Sequence, residues 1–291
     1  MMKIQQLLRK QHVIAIAFLA PSLLGFALFY LFPFIQGVGY SFMDSTTDGS
    51  FVGLNNYEEL LASDSFRKAS VNTMLFTGVS VPLIIGVSLL LALLLNQNVF
   101  FRKWLRTAYV LPLVVPVASI IMIWQVLFDW NGAVNSWIQG IGLERIDWMK
   151  SEWARGVLSV AYLWKNVGYN IILFLAGLQS IPKDYYETAD LEGAGPFRKL
   201  STITLVYLTP TMCFVVLMSI INSFKIFRET YLIAGDYPHD SIYMIQHYMN
   251  NMFFSLDVQK LTAAATLMVG CILIIVMGML TLERRFRQFM E

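Results

Sequence analysis

Residues 181–210 read IPKDYYETADLEGAGPFRKLSTITLVYLTP. This long polar interruption between apolar runs has a pattern of its own. It opens on Ile181-Pro182, runs through a charged segment, breaks at Gly193-Ala194-Gly195-Pro196 and re-enters an apolar run at Ile203. Lys183–Glu192 reads as a short amphipathic helix. Tyr185, Tyr186, Ala189 and Leu191 form its apolar and aromatic face, and Asp184, Glu187, Asp190 and Glu192 its charged one. Gly193 and Gly195 end the helix, since glycine tolerates the positive φ of a helix C-terminus, and Pro196 suits the start of a second short helix. Amphipathicity alone leaves two readings open. The aromatic face fits a socket in a partner, or the helix lies flat on a membrane surface.

Working outward, the chain around this segment reads as a membrane protein. Of its 291 residues, 57% are hydrophobic and 14% charged, whereas soluble domains carry about 25% charged residues. Six apolar segments are each long enough to cross about 30 Å of hydrocarbon as a helix: Val13–Phe42, Val71–Leu95, Thr107–Phe128, Gly156–Gln179, Ile203–Phe224 and Leu261–Leu282. Helices are the default because backbone groups in lipid must be satisfied within their own segment. The first run is overlong and carries Pro21 and Pro33, so a tilt or an irregular terminal turn is expected. It is too long for a signal-peptide core and lacks a small-residue cleavage site before Pro21, so it reads as a retained span. The expected organisation is a cytoplasmic N-terminus over 1–12, a six-span domain over 13–282 with a cytoplasmic loop at 181–202, and a cytoplasmic C-terminus over 283–291.

Lys and Arg set that orientation. Twelve of them, Lys3, Arg9, Lys10, Arg102, Lys103, Arg106, Lys183, Arg198, Lys199, Arg284, Arg285 and Arg287, fall on the side of the two termini. Eight fall on the other side, in longer segments, and Lys165 lies inside a span. The outer loops carry their own structure. Phe51–Tyr57 reads as a turn leading to a short helix, Trp130–Trp148 turns at Asn131-Gly132, and Ser241–Phe254 is aromatic and Met-rich. Trp104, Trp124, Trp130 and Trp137 suit membrane interfaces.

The chemistry excluded is as informative. No G-x-x-x-x-G-K-[ST] phosphate loop occurs, so the chain itself is not expected to hold ATP by that route. The three histidines, His12, His239 and His247, are too scattered for a metal site, and no catalytic cluster stands out. Cys213 and Cys271 lie in apolar runs and read as buried free thiols. The net charge of +2 is too small to argue for nucleic acid. The candidate pathway residues are polar groups inside spans. Tyr162, Asn166 and Tyr169, at i, i+4 and i+7, share one helix face, and Ser219, Asn222 and Ser223 share another. Two such faces opposed would line a hydrophilic pathway with aromatic rings for sugar faces; the plainer alternative is hydrogen bonding between helices. Lys165 reads as snorkelling or, with Lys225 and Arg228, as serving an anion.

The spacing of Glu187-Thr188-Ala189, Gly193 and Ile203-x-Leu205 resembles the cytoplasmic "EAA" loop of binding-protein-dependent ABC importer permeases, in their carbohydrate and glycerol-phosphate (maltose-type) branch. The chain departs from the family form at Thr188, Glu192 and Val206. Further likeness lies in Phe51–Tyr57 (FVGLNNY), Arg102–Pro116 (RKWLRTAYVLPLVVP) and Leu175–Tyr186 (LAGLQSIPKDYY). The resemblance implies an all-α integral membrane fold, the six-span type I importer permease with a cytoplasmic coupling helix, in the cell membrane of a prokaryote. It implies that Tyr185, Tyr186, Glu187, Ala189, Glu192 and Gly193 couple to an ATPase. It places sugar contacts in the spans that hold Tyr162, Asn166, Tyr169, Ser219 and Ser223. The implied partners are a second homologous permease, two ATPase subunits carrying the ATP and magnesium, an extracytoplasmic solute-binding protein, a sugar or oligosaccharide, and membrane lipid. Glycerol 3-phosphate or another small polar solute is the alternative cargo. A secondary transporter would instead need midspan carboxylates, and the spans as drawn hold none except near their ends.

Overall fold

A computed structural model of the protein describes residues 2–97 and 102–290. The side chains of Lys3, Arg9, Lys10, Arg102, Lys103, Arg106 and Arg287, on which the orientation rests in part, lie outside the described part. The described residues divide into two compact units, one up to residue 62 with 252–267, the other from residue 63 to 251 with those from 268 onward.

In the first unit, α1 (Met2–Phe26) continues through a π-helical turn at Ala27–Leu31 into α2 (Phe32–Tyr40). The proline pair therefore does not end the run in an irregular turn. Pro33 lacks an N–H and its ring crowds the carbonyl four residues earlier, and the wider π turn just before it absorbs that defect without breaking the helix. α3 (Asn55–Ala62) follows a hairpin-like turn in which both Asp44 carboxylate oxygens accept from Ser50, at 2.7 and 2.8 Å. These bonds hold the Asp44 carboxyl below the usual carboxylate range. Asn56 donates to the carbonyls of Ser41 and Met43, fixing α3 against the turn.

The second unit begins with α4 (Asp64–Asn96), capped by Ser63, whose hydroxyl accepts from Phe66 N–H. α5 (Arg102–Val114) and α6 (Val117–Leu127) together cover the third expected span, but the two are bent by 106°. The cause is local. Pro116 cannot donate to the helix and disfavours helical geometry at Val115, and it adopts an extended ψ of 136°. α7 (Ala133–Gly140) lies in the next loop, organised by buried Asn135, which bonds the carbonyls of Asp129, Trp130 and Ile146 and accepts from the Trp148 indole at 3.1 Å. α8 (Ala154–Gln179) matches the fourth expected span within two residues. α9 (Lys183–Leu191), α10 (Pro196–Lys199), a π turn at Leu200–Thr204 and α11 (Leu205–Tyr207) then lead to α12 (Thr209–Phe224) and α13 (Phe227–Ala234). The fifth span is therefore not one helix over Ile203–Phe224. It is interrupted at Leu208 before Pro210, and its apolar helical run extends to Ala234.

After a 3₁₀ turn at Asp240–Ile242 come α14 (Ile245–Phe254) and α15 (Val258–Met290), which crosses from the first unit into the second. Among the described residues, five helices can cross a membrane by length and composition, and six if the bent pair is one span. Within the second unit the core packs α4, α8 and α12 together. Phe76 stands edge-on to Tyr162 at 5.5 Å between centroids, and Ile84, Phe174, Leu208 and Val215 fill the space between helices. Cys213 and Cys271 are free thiols, half-buried rather than buried.

Candidate coupling helix and pathway wall

The polar interruption folds into a capped surface helix. Pro182, in an extended conformation, precedes α9, and Gly193 ends it at φ +74°. An L side chain is strained at such a φ, which is why the helix ends on glycine. Gly193 N–H returns to the Asp190 carbonyl and Ala194 N–H to that of Ala189. Lys199 of α10 forms an ion pair with Asp190 of α9, joining the two helices.

The structure divides the predicted coupling residues in two. Glu187, Glu192 and Gly193 are exposed and Ala189 is half-buried. The two tyrosines also meet the chain's own fifth span, and Tyr185 stays 46% exposed. Tyr186 is half-buried, with its hydroxyl 2.9 Å from Thr204 Oγ1, and the Tyr185 ring packs 4.9 Å from that of Tyr207. The aromatic face of α9 is thus turned toward the chain's own fifth span. Leu191, 91% exposed, and Phe197, 82% exposed, are presented furthest outward. Amphipathicity located an apolar face on α9 but could not say that residues 204 and 207 would cover it.

The two polar faces of the fourth and fifth spans do meet. The Tyr162 hydroxyl donates to the Ser219 carbonyl at 2.8 Å, and Asn170 donates to Ser219 Oγ at 3.0 Å. Ser223 bonds the Ile220 carbonyl and contacts the Thr77 hydroxyl at 2.9 Å. Tyr162, Ser219 and Ser223 are buried in the helix interface, so within this chain they join spans. Asn166, Tyr169 and Asn222 are half-exposed, and the Asn166 amide donates back to the Tyr162 carbonyl. A cavity of about 580 Å³ lies elsewhere, between α5 and α8, walled by Val110, Leu111, Val114, Ile172 and Leu175 and by none of these six residues.

One charged pair was missed by sequence reading. Lys165 does not snorkel; it forms an ion pair with Glu229 of α13, and both side chains are largely removed from solvent. The apolar window drawn for the fifth span closed at Phe224 because Lys225 follows, and so placed Glu229 in a loop. α13 is further held by Gln125 of α6, whose amide donates to the carbonyls of Leu232 and Ile233. Lys225 and Arg228 stand exposed. Among the described residues, no three His, Cys, Asp or Glu side chains gather into a group fit for a metal ion.

Apolar spans, a proline-bent helix and a glycine-capped surface helix between two spans define a polytopic membrane protein built as an importer permease. The chain belongs to the family of binding-protein-dependent transport system inner membrane components, whose profile matches residues 84–288. It is 33% identical over 227 residues to the arabinooligosaccharides transport system permease protein AraP of Halalkalibacterium halodurans, across 76% of this chain and 72% of that one. It is 31% identical over 265 residues to the sulfoquinovosyl glycerol transport system permease protein SmoG of Agrobacterium fabrum, across 88% and 85%. In fold it is similar to a chain of a bacterial ABC transporter involved in the import of the acidic polysaccharide alginate, with a TM-score of 0.83 at 22% identity over 97% of this chain and 99% of that one. The protein is therefore a multi-pass membrane transport subunit and not an enzyme.

Proposed function

We propose that this chain forms half of the translocation path of an ATP-driven importer for a sugar or oligosaccharide. An extracytoplasmic binding protein delivers the solute, a second homologous permease completes the path, and two ATPase subunits hold ATP and magnesium. Both termini and the 181–202 loop lie in the cytoplasm. The observation that carries the reading is α9. It is a short helix between two spans, ended by Gly193 at positive φ, with Glu187 exposed and Leu191 and Phe197 facing outward beside the turn. That surface suits a cleft on an ATPase. The sugar cargo is supported by the arabinooligosaccharide and sulfoquinovosyl glycerol relatives.

In this reading the path is walled by the half-exposed Asn166, Tyr169 and Asn222, which can hydrogen-bond hydroxyls and stack on a sugar ring. Tyr162, Ser219 and Ser223 lie behind them and fix the two helices that carry the wall. Carriage of a small anion is less well supported than the sequence allowed, because the Lys165 charge is already compensated by Glu229. Glu229 is a carboxylate within the extended fifth span, the feature that a secondary transporter would need. Family membership and the ion pair to Lys165 give it a different setting.

The test is reconstitution of the complex with its binding protein in liposomes. ATP-dependent uptake of a neutral oligosaccharide is expected, with a sugar competing and a phosphate ester failing to compete. A chain that purifies alone and transports without ATP would sink the proposal.

A further inference from the structure

A lever must be attached to what it moves. α9 joins the fifth span covalently through Gly193-Ala194-Gly195, in which Gly193 and Gly195 are exposed. Such a glycine link transmits force poorly. Noncovalent contacts bridge the link: the Asp190–Lys199 ion pair reaches α10, and Tyr186 Oη to Thr204 Oγ1 at 2.9 Å and the Tyr185 ring on the Tyr207 ring at 4.9 Å reach past it into the fifth span. Their landing points are informative. Thr204, itself buried, is the last residue of the π turn Leu200–Thr204, and Tyr207 ends α11, one residue before the break at Leu208. A π turn is under-wound relative to an α-helix and recurs at functional sites.

Beyond these contacts the chain meets a tight pivot. Leu208 is fully buried. A Cβ at Gly177 of α8 would lie 2.8 Å from Leu208 Cδ2 and 2.6 Å from Thr211 Oγ1, so the Leu208 and Thr211 side chains pack directly against the α8 backbone at Gly177. On the far side of this pivot α12 carries Ser219, Asn222 and Ser223.

We propose that Tyr186 and Thr204, supported by Tyr185 and Tyr207, are positioning residues that carry movement of α9 into the fifth span, with the π turn as the element that rewinds and Leu208 against Gly177 as the fulcrum. This rests on the permease reading above. It assigns the two tyrosines a different role from the one sequence gave them, transmission within the chain in place of contact with the ATPase. A displacement of α9 pulls on Thr204 and Tyr207, shifts residues 200–207 about Leu208, and turns the α12 wall.

The test uses the reconstituted complex with its binding protein, measuring solute taken up and ATP hydrolysed in the same vesicles. Tyr186→Phe and Thr204→Val each delete one side of the bond. Each is expected to lower solute moved per ATP about five-fold, the weight of one hydrogen bond, while copurification of the subunits is unchanged. Thr204 Oγ1 also makes a longer bond of 3.4 Å to the Lys199 carbonyl, so the double variant is expected to be no worse than Thr204→Val alone. Thr204→Ser, which keeps the hydroxyl, should restore the ratio. Ser255→Ala, which loses only an exposed local bond to the Met252 carbonyl far along the chain from these residues, should leave it at the wild-type value. An unchanged ratio in both single variants, or a double-variant loss equal to the product of the single losses, overturns the assignment. If the wild-type complex itself shows no ATP-coupled uptake, it is the permease reading that fails.

Discussion

A missing side chain at position 168 lets the fourth span lie against the third. A Cβ there would sit 1.8 Å from the Tyr109 carbonyl oxygen and 2.5 Å from its carbonyl carbon, and backbone cannot give way as a side-chain tip can. Gly168→Ala is therefore expected to force α5 from α8 at a cost of about 1–3 kcal/mol, read as a lower melting midpoint in detergent. Gly156→Ala on the same helix meets nothing within 4 Å and should be neutral or slightly stabilising, since alanine favours a helix interior. His247 makes a second residue-scale prediction. It is buried, its Nδ1 accepts from Met244 N–H at 3.4 Å, and its ring stands edge-on to Phe227 at 4.9 Å. Burial pushes its pKa down to about 4, and the charge of Asp236 opposes that more weakly. The unfolded chain takes up this proton near pH 6.5 and the folded chain only near pH 4. Between those values the unfolded state holds more protons, so stability falls as pH drops through the window and is unaffected by this group above it. A melting midpoint that declines from pH 6.5 to pH 4 in the wild type, with a shallower decline in His247→Phe, is the expected pair of curves. Parallel curves would remove His247 from the acid response.

At the scale of elements, the turn between α9 and α10 yields the next prediction. Proline fixes φ near −65°, and residue 193 needs +74°. Gly193→Pro is therefore expected to reorient the loop and abolish ATP-coupled uptake while the spans still fold and copurify with their partners. Normal uptake would show that the conformation of this turn is not needed. The same elements show what was legible in the residues. The existence of α9, its end at Gly193 and the short helix from Pro196 follow from capping and glycine chemistry that is local to the sequence. The contacts of Tyr186 with Thr204 and of Tyr185 with Tyr207 were not legible, because periodicity reports that a face is apolar and not what packs on it. The third span shows the same limit. A hydropathy window over 107–128 sums apolar residues on both sides of Pro116 and is blind to a change of direction, although Val115-Pro116 carried the signal for one. The π turns at Ala27–Leu31 and Leu200–Thr204 lay outside any such signal, except that each precedes a proline, at 33 and at 210.

For the molecule as a whole, six apolar runs sufficed to place a polytopic helical protein, and the structure moved the ends of the runs and broke the third and the fifth within. The fifth shows why ends matter. Closing it at Phe224 hid the carboxylate that the structure pairs with Lys165, and so left Lys165 to be read as snorkelling or as serving an anion. The pair ties α8 to α13, with side chains 18% and 7% exposed. Two opposite charges together are tolerable in such surroundings, and either one alone is not. Removing one partner of a buried pair costs about 3–5 kcal/mol, because the survivor is left uncompensated. Lys165→Met and Glu229→Gln are each expected to lower the melting midpoint and the yield of assembled complex. The exchange Lys165→Glu with Glu229→Lys should recover much of the loss, since compensation returns although the geometry is imperfect. Salt separates this pair from an exposed one. Lys68 and Asp240, 2.9 Å apart with side chains 46% and 74% exposed, are screened at high ionic strength, whereas Lys165 and Glu229 are shielded from it. The effect of Glu229→Gln should therefore be the same at low and high salt, and that of Asp240→Asn should shrink toward zero as salt rises. A Glu229→Gln effect that vanished with salt would show that water reaches this pair, and that the fourth and fifth spans are held together by their polar contacts at Tyr162, Asn170 and Ser219 rather than by charge.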